Sequence, residues 1–292
     1  MDFSFSAFSV VPGNRNFITL NKKKLATIGK IKEKQFPKSR IGTLDVFAIG
    51  LKKHHVKALI ELDVTVAREL IRQHKQAGRP ISFTAWIVKT ISRTVEAFED
   101  VHAYLKNKRT RLVFEDIDIT VMVEREHGGD KVPLPYVIRQ TQLKSIDEIT
   151  AEIEDAKNRA LGEGQVAMNS SGNGLWANIY FSLPGWLRRL AWKYFAIAPR
   201  QAQQMMGSII FTSIGMFGEV RGWFVHTSVH PLGFGAGSVV KKPAVVGDKI
   251  EIREFLHLTV LLDHDVVDGV EMAKFVARLS ESIEAAAELR SH

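Results

Sequence analysis

The chain has 292 residues, of which 45% are hydrophobic and 25% charged, and it carries a formal net charge of +8. That is enough apolar content for one large core or two small ones, and the absence of cysteine excludes disulfides, thiolate metal centres and a cysteine nucleophile. No apolar run approaches the roughly 18 residues that a membrane-spanning helix needs. The start, Met1-Asp2-Phe3-Ser4-Phe5-Ser6, lacks the basic and apolar pattern of a secretion signal. The expected location is therefore cytoplasmic.

Part of the basic excess is local, in Lys22, Lys23, Lys24, Lys30, Lys32, Lys34, Lys38 and Arg40. There is no zinc-ligand set, no RNP-like aromatic run and no helix-turn-helix pattern, so no nucleic-acid partner is expected. The excess reads as a solvated face, with attraction of a phosphate-bearing substrate as the functional alternative.

Residues 1–40, punctuated by Pro12, Gly13, Gly29 and Pro37, read as an irregular N-terminal arm. β-like runs follow at Leu44–Ile49 and Lys57–Val64. Thr65–Gln76 reads as a helix stopped by Gly78 and Pro80. Phe83, Trp86, Ile87, Ile91, Val95 and Phe98 recur at helical spacing, which predicts an amphipathic helix over Ser82–Phe98. Ile117, Ile119, Val121 and Val123 alternate with polar residues, the pattern of a half-buried strand. Ser145-Ile146-Asp147-Glu148 is a capping box, in which hydroxyl and carboxylate satisfy each other's free amides, and its helix is expected to run to about Ala160.

Gly162–Gly174 reads as a polar loop. After it comes an aromatic and basic stretch, Leu183–Phe195. Trp186, Leu187, Leu190, Ala191 and Tyr194 can share one helical face, with Arg188, Arg189 and Lys193 elsewhere. The plain expectation is packing onto the domain or a neighbour. A wall over a substrate channel and an interfacial membrane helix are the alternatives, and membrane association is not expected. Beyond it lie Phe211-Thr212-Ser213-Ile214-Gly215-Met216-Phe217-Gly218, then Gly233-Phe234-Gly235-Ala236-Gly237-Ser238, which opens no helix and so reads as a glycine-rich strand or bulge. A β-like run, Phe255–Leu262, leads into His264-Asp265-Val266-Val267-Asp268-Gly269, and Met272, Phe275, Val276, Leu279 and Ile283 mark a helix after it. A histidine at a strand end, with an acid and a glycine four and five residues on, is a plausible base beside its supporting turn; the bland alternative is a satisfied loop histidine. Strands and helices alternate irregularly, which favours α+β over a doubly wound sheet.

The order of these motifs resembles the catalytic domain of the 2-oxoacid dehydrogenase acyltransferases, the E2 components. That family carries an FTxSxxGxxG strand and turn, an ILGVG strand and a DHRxxDG site. The resemblance is strongest over 207–290. It is fainter from about 54 to 160, where His55 with Ile60-Glu61-Leu62-Asp63-Val64 and Val132–Arg139 match the family's PHFxxxxEVD and LVVPVIR. It implies a chloramphenicol acetyltransferase-like α+β fold, a mixed β-sheet with flanking helices, over 41–292. It also implies a homotrimer, or a multiple of three, with the site between subunits. The substrates implied are coenzyme A or acyl-coenzyme A and an acceptor of unknown identity.

By resemblance, His264 is the general base and Thr212 the oxyanion hydroxyl, with Ser213 as the adjacent alternative. Asp268 supports the loop and pairs with a basic residue, for which Arg40 is the candidate; Gly269 is structural. The backbone at Gly235, Gly237 and Ser238 would line the coenzyme A channel. No metal is expected, since His226, His230 and His257 lack supporting carboxylate spacing.

Three features depart from the family. Asp265 replaces the usual arginine. Residues 162–206 are longer than the family's connection. No lipoyl domain, Ala/Pro-rich linker or subunit-binding domain precedes residue 50, so a stand-alone acyltransferase domain without covalently attached lipoate is expected. Lys131, in Asp130-Lys131-Val132, reads as a surface lysine. The competing reading is a non-catalytic oligomeric scaffold of the same fold.

Overall fold

The computed structural model describes residues 32–33, 39–127, 130–158, 182–215 and 221–290. Most of the expected N-terminal arm, the loop expected at Gly162–Gly174 and the Met216–Gly218 part of the strand-and-turn motif lie outside the described residues, as does the side chain of Lys131.

The described elements run α1 (Ser39–Gly50), β1 (His55–Asp63), α2 (Thr65–Gln76), α3 (Phe83–Glu96), β2 (Tyr104–Asn107), β3 (Thr110–Leu112), β4 (Ile119–His127), β5 (Asp130–Ile138) and α4 (Ile146–Asn158). They continue with α5 (Gly185–Ile197), α6 (Pro199–Met206), β6 (Ile209–Ser213), β7 (Leu232–Val246), β8 (Lys249–Asp263), α7 (Gly269–Glu284) and α8 (Ala287–Arg290). A six-stranded sheet has the order β1-β8-β7-β6-β4-β5, and β2 and β3 form a separate pair. β6 lies parallel to both β4 and β7, and the remaining neighbours are antiparallel. The sheet is mixed, as expected.

Side chains alternate across a strand, and the two faces have different jobs. Leu256, Leu258, Val260 and Leu262 of β8, with Leu232, Phe234 and Ala236 of β7 and Ile209 and Phe211 of β6, join one buried core. Trp86, Ile87 and Ile91 of α3 and Met272, Phe275 and Leu279 of α7 close it from the helix side. At roughly 2 kcal/mol for each large apolar side chain buried, this layer is the main stabilising interaction of the fold. The opposite face carries the polar residues: His257, Thr259 and Asp263 of β8 are buried there.

The capping box forms. The Ser145 amide donates to the Glu148 carboxylate at 2.7 Å and the Glu148 amide to the Ser145 hydroxyl at 3.2 Å. The helix it starts ends at Asn158, slightly short of the expected Ala160.

Two expectations fail. Leu44–Ile49 is not a strand but the body of α1, and helix begins at Ser39, inside the stretch read as irregular. The reason is tertiary: Val46 and Ile49, one helical turn apart, pack against the cluster of Tyr104, Trp192, Ala202 and Met206. The aromatic row of the Trp-rich helix does not pack onto its own domain. Trp186, Leu190 and Tyr194 of α5 point outward, at 64%, 56% and 54% exposure. Trp192 and Arg188 point inward instead, and the Arg188 Nε donates to the buried Asp45 of α1 at 2.8 Å.

Candidate active site

β8 ends at Asp263, which is 1% exposed and lies on the polar face of the sheet. Its carboxylate accepts a hydrogen bond from the Lys53 ammonium, and Lys53 lies 5.9 Å above the Tyr104 ring. The other carboxylate oxygen accepts from the Asp265 amide at 3.3 Å, and the Asp263 carbonyl accepts from Val266 N–H at 3.2 Å. The Val266 and Val267 side chains are buried, and Arg111 of β3 donates to the Val266 carbonyl at 2.7 Å while pairing with Asp100. The link between β8 and α7 is thus held from both ends and from the side.

His264 sits on this braced link. Its amide donates to the His54 carbonyl at 3.0 Å, and its side chain is exposed. Asp265 turns away to pair with His54, whose Nδ1 lies 2.9 Å from its carboxylate. The acid that replaces the expected arginine therefore has a partner of its own. Asp268 is the N-cap of α7 but makes no side-chain capping bond. Among the described residues no hydrogen bond or ion pair joins it to Arg40, which lies in the first turn of α1, so the structure does not bring that expected pair together within one chain. Gly269 opens α7 with open space beside it.

Behind this link lies a layer of histidines, of which His230 and His102 are buried and His55 and His226 half-buried. His55 Nε2 donates to the His230 carbonyl at 2.9 Å, and burial lowers its pKa. His230 donates from Nε2 to the Met206 carbonyl at 2.9 Å, while its Nδ1 accepts from the Ser228 hydroxyl at 3.1 Å. Burial brings His230, His226 and His102 down to about 4, so all three are neutral near neutral pH.

Thr212 lies in β6, level with Gly235 of β7, and Ser213 is level with Ala236. Phe211 is in the core, so alternation points Thr212 to the polar face and Ser213 toward the helices. Gly235 is in turn level with Thr259 of β8. His264 lies five residues past Thr259, about 17 Å along the strand direction, and two strand spacings away, about 10 Å. Within one chain the two side chains are too far apart to contact one small group.

Gly235 and Gly237 have a task that the sequence did not reveal. The segment from Gly222 to His226 crosses the polar face against β7. A Cβ on Gly235 would meet the Phe224 carbonyl oxygen at 2.4 Å, and one on Gly237 would meet that of Gly222 at 2.5 Å. These glycines admit the chain's own backbone, and Ser238 beside them is buried. The strand carries the expected bulge: its register shifts between Ala236 and Val239.

Past the bulge opens a cleft of about 500 Å³ whose walls include Glu61, Arg68, Trp223, Lys241, Lys242 and His257. Lys242 donates to Glu61 at 2.7 Å, and Trp223 packs on His257 with ring centroids 4.6 Å apart. The sequence reading missed Lys53, Asp263, Arg111 and this cleft. Only Asp263, an acid beside the motif histidine at the end of an apolar strand, left a local signal.

The family profile described as 2-oxoacid dehydrogenases acyltransferase (catalytic domain) matches residues 50–174 and 196–290. The chain is 24% identical over 238 residues to the dihydrolipoyllysine-residue acetyltransferase component of the pyruvate dehydrogenase complex of Corynebacterium glutamicum, covering 78% of this chain and 30% of that protein. It is 20% identical over 230 residues to the mitochondrial dihydrolipoyllysine-residue succinyltransferase component of the 2-oxoglutarate dehydrogenase complex of Bos taurus, covering 77% of this chain and 42% of that protein. The chain therefore spans less than half the length of these two relatives. Its fold is similar to the cubic core of the pyruvate dehydrogenase multienzyme complex, with a TM-score of 0.64, 16% identity and 97% and 99% of the two chains covered. It is also similar to a truncated catalytic core of the 2-oxoacid dehydrogenase multienzyme complex from Thermoplasma acidophilum, with a TM-score of 0.58, 17% identity and coverage of 88% and 99%.

Proposed function

Because the chain belongs to the catalytic-domain family of the 2-oxoacid dehydrogenase acyltransferases, we propose that it transfers an acyl group between coenzyme A and a thiol, amine or hydroxyl acceptor. His264 acts as general base and Thr212 as oxyanion donor. One observation carries the reading: an exposed histidine stands on a link braced by Lys53–Asp263 and Arg111, while the only outward-facing hydroxyl of the Thr212-Ser213 pair lies on the polar face of the same sheet.

The acceptor's lone pair attacks the thioester carbonyl carbon as His264 takes the acceptor's proton. Imidazole is the side chain suited to taking and returning a proton near neutral pH. The carbonyl oxygen gains the negative charge and accepts a hydrogen bond from the Thr212 hydroxyl, which strengthens as the charge develops. The tetrahedral intermediate collapses, the carbon–sulfur bond breaks, and the coenzyme A sulfur leaves with the proton held by His264. No covalent acyl-enzyme is formed.

The register separates His264 and Thr212 within one chain, so the site is completed by pairing the His264 of one copy with the Thr212 of the next, in a trimer or a multiple of three. The cleft beyond the bulge, with Arg68, Lys241 and Lys242 in its wall, suits the phosphates of coenzyme A. Asp268 and Gly269 shape the start of α7, and Arg40 remains the proposed partner of Asp268 across copies.

The test is to incubate purified protein with acetyl-, succinyl- and branched-chain acyl-coenzyme A and a panel of thiol, amine and hydroxyl acceptors, following free thiol release. Acceptor-dependent release that Thr212→Ala lowers and Thr212→Ser largely restores supports the reading. No release with any pair in the panel argues for a scaffold of the same fold.

A further inference from the structure

The family match omits residues before 50 and residues 175–195. The two helices that fall in those gaps, α1 and α5, pack on each other through Arg188–Asp45, and Val46 and Ile49 of α1 share a cluster with Trp192 of α5. Each turns an apolar row outward. α5 exposes Trp186, Leu190 and Tyr194, spaced by one helical turn; α1 exposes Leu44 at 57% and Phe47 at 40%, and the turn that follows it exposes Leu51 at 75%.

We propose that the α1–α5 pair is a docking surface for an anionic phospholipid membrane. The charge pattern selects this occupant. Arg189 and Lys193 flank the aromatic row of α5, and with Trp186 and Leu190 they line a hollow of about 350 Å³. Among the described residues neither cation meets a carboxylate; Arg189 Nε donates only to the Gly185 carbonyl of its own helix, at 3.2 Å. No aspartate or glutamate occurs between Glu163 and Glu219. An acidic protein partner would also satisfy the cations, but it would not need outward aromatic rows on two helices.

Tryptophan and tyrosine, each an apolar body with a polar tip, settle at the depth of lipid headgroups, and arginine and lysine beside them reach the phosphates. No described helix is long and apolar enough to cross a membrane, so the contact lies in the interface plane. The inward face is fixed by the Arg188–Asp45 pair and by Trp192, which is 9% exposed, so the outward rows are presented as a preformed surface.

The experiment is co-sedimentation of the full chain with phosphatidylcholine vesicles, with and without phosphatidylglycerol. The protein should pellet with the phosphatidylglycerol vesicles and be released by raised salt. Arg189→Gln/Lys193→Gln should weaken binding by about 25-fold, at about fivefold for each basic side chain removed near an anionic surface. Trp186→Ser/Leu190→Ser should weaken it at any salt. All four positions are exposed, so circular dichroism and melting should be unchanged. The proposal is overturned if the wild type stays in the supernatant with both vesicles, or if it pellets and both variants pellet equally well. It is also overturned if the apolar variant changes the particle mass by light scattering, which would make the rows a contact between copies. Acyl transfer by detergent-free protein in the absence of vesicles is measured separately, so loss of docking and loss of activity remain distinct.

Discussion

Thr212 stands level with Gly235 and, one strand further, with Thr259, whereas His264 lies past the end of that same strand. With a rise of about 3.4 Å per residue and strands about 4.8 Å apart, the separation is roughly 20 Å. On the proposed mechanism a base and an oxyanion donor serve one carbonyl, and over that distance the proposal requires two chains to supply them.

The first prediction tests this sharing. Chains bearing His264→Ala and chains bearing Thr212→Ala should each be nearly inactive alone. Co-expressed or refolded together, they should form mixed assemblies in which about a quarter of the interfaces hold both intact residues, because each contributes independently with a chance of about one half. Recovery of about a quarter of wild-type turnover is the expected result. Mixtures as inactive as the parents would place both groups' partners within one chain.

His264→Ala alone should lower turnover by roughly 10²–10⁴-fold, the usual contribution of a general base. The side chain is exposed, and the backbone bond to the His54 carbonyl does not depend on it. Its melting temperature should therefore match the wild type, and wild-type turnover in a folded variant would remove His264 from the mechanism.

Much of this was legible in the sequence because the signals were local. The β8–turn–α7 passage showed as an apolar run, a six-residue motif and a helical period. The capping box stands where the residues put it, and the helix predicted over Ser82–Phe98 forms as Phe83–Glu96. The rest depended on contacts distant in sequence. The Leu44–Ile49 run has strand-like composition, yet it forms a helix that packs on the cluster of Tyr104, Trp192, Ala202 and Met206. Lys53 and Asp263 are 210 positions apart. The glycines of β7 are explained by a crossing segment that no spacing announces. The inward side of α5 is set by the Arg188–Asp45 pair, a contact 143 positions apart that periodicity does not announce.

The Lys53–Asp263 pair leads to the third prediction. The Asp263 side chain is 2% exposed and that of Lys53 is 21% exposed, so Lys53→Met leaves a nearly buried carboxylate without its cation. Breaking such a pair costs about 3–5 kcal/mol when fully buried, and the partial exposure of Lys53 brings this to about 2–3 kcal/mol. Because the other Asp263 oxygen accepts from Asp265 beside His264, turnover should fall as well. Lys53→Met/Asp263→Asn should recover most of the stability in urea titrations. If Lys53→Met unfolded at the wild-type midpoint, the brace would be idle.

The last prediction concerns acid. His102, His226 and His230 are held at about 4 in the folded chain, chiefly by burial, against about 6.5 when unfolded. Their folded values are lowered, so the folded state keeps them neutral while the unfolded state takes up protons. Their contribution to stability is complete above about pH 6.5 and is lost as the pH falls toward 4, each histidine disfavouring the fold by roughly 2 kcal/mol at pH 5. His226 offers the cleanest test, because neither ring nitrogen has a hydrogen-bond partner and the ring packs over Gly233 and Gly235. His226→Leu removes the proton uptake without orphaning a polar group. The loss of unfolding free energy between pH 7 and pH 5 should therefore be smaller in the variant by roughly 2 kcal/mol. An equal loss in both proteins would show that His226 is already protonated in the folded state at pH 5.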